Sequence, residues 1–172
     1  MSLLIFAYRK QNIIARKNEL NYKLMKRKQE LMDLQHYASE VAEGAMTMNK
    51  LMGMPCTMFN RATMFMMYGH QAAMAGANEK FNFLLQTPGA IQNVGNAQLQ
   101  VQYNQTIFKN LYNQEKQKFQ KMEEKILNQQ DRKIQLECER IQTQLAMLDA
   151  ELNSVKQAED KAAQDSAPKY VA

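Results

Sequence analysis

Nine of the fourteen methionines in this chain fall between Met46 and Met74, and their thioethers are the most chemically distinctive groups it carries. Met46, Met48, Met52, Met58, Met64, Met66 and Met67 lead into a small-residue stretch containing Gly69, Ala73 and Gly76. By spacing, the run matches thioether arrays able to hold soft cuprous ions. Methionine is also flexible and polarizable, and so dense a cluster more commonly makes an adaptable packing surface. Packing is the reading the sequence favours, and no metal or cofactor is assigned.

The remaining reactive residue types are sparse. Neither of the two histidines, His36 and His70, has a Cys, Asp or Glu at a spacing that builds a metal site. Cys56 and Cys138 lie far apart and make neither a disulfide framework nor a zinc motif. No Gly-rich phosphate loop, nucleophile elbow or pair of carboxylates around a pocket appears. The expectation is therefore not an enzyme, with no small-molecule substrate. Residues 1–40 hold eight basic residues against four acids, but these surround a helix with Leu and Ile at seam spacing. No aromatic–basic alternation or reading motif accompanies them, so nucleic acid is not the expected partner.

Three Pro, six Gly and no Trp, against an abundance of Gln, Lys, Glu, Met, Leu and Ala, give an all-α expectation. The predicted form is an elongated helical hairpin or coiled coil with a Met-rich middle of short helices and one very long C-terminal helix. Its parts are an N-terminal amphipathic helix over 1–43, an uncharged middle over 44–97 with a turn at 87–89, a coiled-coil helix over 98–164 and an extended tail over 165–172. Gly44 supplies a C-terminal cap for the first helix. Pro55 splits the middle, where Asn60 is expected to cap a second short helix. Thr87-Pro88-Gly89 is a strong turn signal.

Both arms carry apolar seams. In the first arm Ile13, Leu20, Leu24, Leu31, Leu34, Ala38, Val41, Ala45, Met48 and Met52 follow steps of three and four once Lys17 and Arg27 are admitted as seam positions. In the second, Ile134, Cys138, Ile141, Leu145, Leu148, Leu152 and Val155 form an unbroken series. Upstream, Phe119, Met122 and Ile126 join it only through an extra step across Gln130, which reads as a stutter. Lys23, Lys28 and Glu30 flank the first seam, and Glu137, Asp149 and Glu151 the second, so the arms should prefer each other to themselves. At about 1.5 Å per residue the second arm would span roughly 100 Å and the first about 60 Å, so the long helix needs further partners.

Only Lys50, Arg61, Glu79 and Lys80 are charged between Gly44 and Phe108. From Ala90 to Phe108 amides dominate the polar residues, among them Gln92, Asn96, Gln98, Gln100 and Asn104. Such a surface suits a protein contact. The expected function is a structural subunit that self-assembles into a helical filament or tube, with another copy of itself as partner. In plan, two helices enclosing a divergent middle, it resembles the filament and flagellin-type subunits of bacterial export systems, which implies an extracellular or cell-surface location. No motif of those families is matched. The alternatives are a cytoplasmic coiled-coil adaptor or chaperone-like protein, and a membrane-surface protein inserting its Met-rich tip. Against the last, the middle lacks a run of about twenty apolar residues.

Overall fold

The computed structural model describes residues 3–44 and 46–166. Ala45 of the first seam and the tail from Ala167 onward lie outside the described residues. The chain is all-α, with four helices and no strand among the described residues: α1 Leu3–Ala42, α2 Met48–Met52, α3 Cys56–Gln86 and α4 Ala97–Ser166. α4 runs for 70 residues. Two units can be distinguished, one formed by 1–31 with 132–172 and the other by 32–131, and α1 and α4 contribute to both.

The ends of the helices follow local chemistry. Gly44 adopts φ +82°, the left-handed conformation that glycine reaches without steric cost, and its N–H donates to Val41 O at 3.0 Å. Thr47 caps α2, its Oγ1 accepting from Lys50 N at 3.4 Å. α3 starts at Cys56 rather than at the expected Asn60, which is an exposed residue inside the helix. The reason is Pro55: its φ of −55° already suits a helix entry, and its carbonyl accepts from Met58 N and Phe59 N at 2.9 and 3.0 Å. Thr87-Pro88-Gly89-Ala90 then reverses the chain, with Gly89 at φ +79° and Ala90 N donating to Thr87 O at 3.2 Å. Asn96 Oδ1 accepts from Gln98 N at 2.9 Å and opens α4.

In the first unit α1 and α4 run antiparallel, as shown by ion pairs whose order reverses: Lys10–Glu159 at 2.7 Å, Lys17–Asp149 at 2.5 Å and Arg27–Glu137 at 2.9 Å. Arg9 also meets Glu151 at 2.8 Å. Lys17 and Arg27, the two charged seam positions, thus reach across to carboxylates of α4. Lys23, expected as a cross-helix flank, pairs instead with Glu19 on its own helix at 2.7 Å. Ile13, Cys138 and Val155 are the buried apolar residues of this unit among those described. Leu20, Leu24, Leu31, Ile134, Ile141, Leu145, Leu148 and Leu152 are half-buried.

The second unit has a fuller core. Leu34, Tyr37 and Val41 of α1, Leu51 of α2, Met54 beyond it, Ala62, Ala73 and Ala77 of α3, and Leu127 of α4 are buried together with Gly69. Here the residues expected at the stutter are corrected. Met122 and Ile126 are 63% and 45% exposed, whereas Leu127 is 1% exposed. Leu127 stands one heptad before Ile134 and takes the seam place expected of Ile126, whereas Phe119, eight residues before Leu127, is reached only through two successive four-residue steps, so the extra step lies upstream of Leu127 and not across Gln130.

Candidate assembly surfaces and a methionine-lined groove

α3 and α4 approach closely because α3 presents a stripe of small residues. A Cβ on Gly69 would stand 3.0 Å from Phe119 Cδ1, and one on Gly76 would stand 3.0 Å from Glu115 Cγ. Ala73 and Ala77 continue the stripe, both buried, while Ala72 faces solvent. Above it, Phe65 stacks on Phe119 with centroids 5.4 Å apart and meets the edge of Tyr37 at 6.4 Å. Such aromatic pairs add about 0.5–1.5 kcal/mol beyond the area they bury.

Tyr37 belongs to a polar knot that joins α1, α3 and α4. Its Oη donates to Glu123 Oε1 at 3.1 Å, Arg61 Nε donates to the same oxygen at 2.7 Å, and the Arg61 guanidinium lies 5.5 Å from the Tyr37 ring centroid. Burial, reinforced by the Glu123 carboxylate, pushes the Tyr37 phenol above its ordinary pKa, so it stays a neutral donor. Farther along, Glu115 takes Lys80 and Lys118, and these partners hold its carboxyl below the usual range. At the start of the unit Lys50 bridges Glu40 and Glu43, which raise its pKa. Lys50, Arg61 and Lys80 of the middle segment are therefore each paired with a carboxylate.

The methionines divide by exposure. Met48, Met52, Met64 and Met67 are 59%, 77%, 58% and 57% exposed, so these four meet solvent instead of the unit's own core. Met46, Met58 and Met66 are half-buried. Met54, absent from the sequence-derived set, is 7% exposed and fully engaged. Met46, Met66 and Met67 share an open groove of 480 Å³ with Phe65, Phe119 and Gly69, rimmed by His70, Tyr112, Lys116 and Gln120. His70 Nδ1 lies 2.9 Å from Tyr112 Oη. Gln120 closes one end by donating through Nε2 to Ala42 O at 3.1 Å.

Two further surfaces are uncharged and carry exposed apolar side chains. On the outer face of α1, Tyr8, Gln11, Ala15, Asn18, Tyr22, Met25 and Gln29 repeat at steps of three and four, and every one is exposed. This is a second stripe, opposite the seam that meets α4 within the first unit. In the second unit, residues 81–108 carry no charge at all, and Phe83, Leu85, Leu99 and Val101 are each at least half exposed. Gln100 staples that tip: its Oε1 accepts from Val94 N at 2.9 Å and its Nε2 donates to Gln92 O at 3.2 Å.

Sequence reasoning missed Tyr37, Arg61, Glu123 and Leu127. Leu34, Tyr37 and Val41 are spaced by three and four, which is the signal that could have found Tyr37. Among the described residues no group of three or more His, Cys, Asp and Glu side chains is placed to hold a metal ion, and no helix is long and apolar enough to cross a membrane. No family model, curated protein or solved structure matches the chain.

Proposed function

We propose that this chain is a structural subunit that self-assembles into a helical filament or tube. The observation that carries the reading is the presence of two different uncharged surfaces with exposed apolar side chains on one chain, the outer stripe of α1 and the 81–108 tip. A two-helix pair cannot cover all of its apolar surface by itself, and the first unit leaves Tyr8, Ile14, Tyr22, Met25, Leu136 and Met147 exposed while burying Ile13, Cys138 and Val155. Exposed apolar groups of this density mark protein contacts.

The assembly type follows from how the two surfaces pair. If one surface of a subunit meets the other surface of the next, the contact is heterologous and repeats without closing unless its rotation makes a ring. If each surface meets its own kind, closed dimers result. A filament therefore needs both surfaces, and loss of either should stop growth. Electron microscopy of the purified chain over a concentration series tests the proposal: regular polymers support it, and discrete dimers or tetramers support the adaptor alternative. In the filament reading the partner is another copy of this chain.

A further inference from the structure

We infer that the methionine-lined groove of the second unit is a binding site for a monovalent soft metal ion, cuprous copper in a cell. The inference does not rest on assembly. Met66 and His70 are one helical turn apart on α3, Met67 is three residues before His70, and Met46 enters the same groove from the segment before α2. Residues at these spacings lie on one face of a helix, so two thioethers and an imidazole can converge on one point. Thioether sulfur selects cuprous copper, and imidazole is compatible with it.

Two features separate this cluster from ordinary packing. The first is the setting of the imidazole. The 2.9 Å contact between Nδ1 and Tyr112 Oη allows either group to donate; in the tautomer in which Nδ1–H donates, the Nε2 lone pair is available, and Nε2 makes no hydrogen bond among the described residues. A metal-binding histidine is typically oriented in this way through its second nitrogen. The ring also meets Tyr112 edge-on, with centroids 5.7 Å apart, which restricts its rotation.

The second feature is charge. The groove lining contains no Asp or Glu, and its one ionised side chain is Lys116 on the rim. Nothing there offsets a divalent ion. A zinc or cupric ion would meet neutral ligands beside an ammonium group, whereas a monovalent ion incurs far less electrostatic penalty. Neutral sulfur and nitrogen donors in an apolar groove thus select by both softness and charge. Met67 and His70 are exposed, so the ion can enter without opening the core.

The test uses the full chain titrated with silver(I), an air-stable soft monovalent probe, and anaerobically with cuprous copper against a chromophoric chelator. Methionine-methyl NMR identifies which thioethers respond. The expected result is one ion per chain, shifts confined to Met46, Met66 and Met67, and no comparable binding of zinc. Met66→Leu and Met67→Leu keep apolar volume, and His70→Gln keeps a polar side chain; each should weaken binding by roughly tenfold or more. Tyr112→Phe, which frees the imidazole, should weaken it by about tenfold. Met147→Leu, more than twenty residues beyond the groove residues of α4, should change nothing, and circular dichroism checks that every variant is folded. Equal uptake by the Met66→Leu/Met67→Leu double variant, shifts spread over Met25 and Met147, or equally tight zinc binding would overturn the assignment.

Discussion

Adding one methyl group at Gly69 and at Gly76 should have opposite effects on stability, although both glycines are inside α3 and both face α4. Replacing a helical glycine by alanine gains about 0.8–1.0 kcal/mol from backbone propensity alone. At Gly69 the new Cβ would lie 3.0 and 3.1 Å from Cδ1 and Cε1 of Phe119, a ring already stacked on Phe65. A rigid ring in a packed cluster can yield only by shifting its neighbours, and overpacking of this kind costs about 1–3 kcal/mol. Gly69→Ala should therefore destabilise by about 1 kcal/mol net. At Gly76 the near atoms are Cγ, Oε2 and Cδ of Glu115 at 3.0, 3.2 and 3.3 Å, and the Lys80 and Lys118 side chains that hold this carboxylate are exposed enough to follow it by a few tenths of an ångström. There the propensity gain should survive, and Gly76→Ala should stabilise by about 0.5 kcal/mol. Urea unfolding followed by far-UV circular dichroism resolves the difference, with m-values checking that both variants unfold as the parent does. Equal stabilisation by both substitutions would refute the claim that the Phe119 ring is locked against the small-residue stripe.

Other outcomes follow from the register of α4 and from the charged groups. Leu127→Ala should cost about 2–5 kcal/mol, whereas Ile126→Ala, at a half-exposed neighbour, should cost less than about 1 kcal/mol in the same denaturation assay. The Tyr37 phenol has its pKa raised in the folded state, so its contribution is present below the ordinary value of 10.0 and is lost as pH rises past it. Tyr37→Phe should lower stability at neutral pH by about 1 kcal/mol and flatten the alkaline loss. Glu115 is shifted the other way, chiefly by Lys80: its contribution is present above 4.5 and is lost as pH falls through its lowered value. Glu115→Gln should accordingly reduce the acid-dependent loss of stability measured by urea midpoints. Val101→Glu places a charge on the uncharged tip and should raise the concentration needed for assembly at least tenfold, read by sedimentation, with the fold unchanged.

The all-α class and the very long C-terminal helix were legible because composition and seam period agree over many residues. Gly44 and Thr87-Pro88-Gly89 were legible because positive φ and proline restrict what else those positions can do. Leu127 was not, because Ile126 beside it is equally apolar and only the heptad counted back from Ile134 separates them. Asn60 misled because capping is a local preference, and Pro55 upstream had already determined the entry of α3. Composition could count the methionines but not sort them, since Met54 and Met52 differ in burial through the direction each takes from α2 and the segment after it. The Tyr37–Arg61–Glu123 knot joins residues distant in sequence, and no single-chain pattern announces a bond between them.

The central claim is that two distinct surfaces drive open-ended association. Its most direct measurement is negative-stain electron microscopy with parallel sedimentation of the purified chain across a wide concentration range. Regular polymers should form above a threshold concentration, and that threshold should rise at least tenfold with Val101→Glu on the tip and separately with Tyr22→Glu on the outer face of α1. A chain that stays monomeric at the highest concentration, or that stops at a closed dimer unaffected by one of these substitutions, would contradict it.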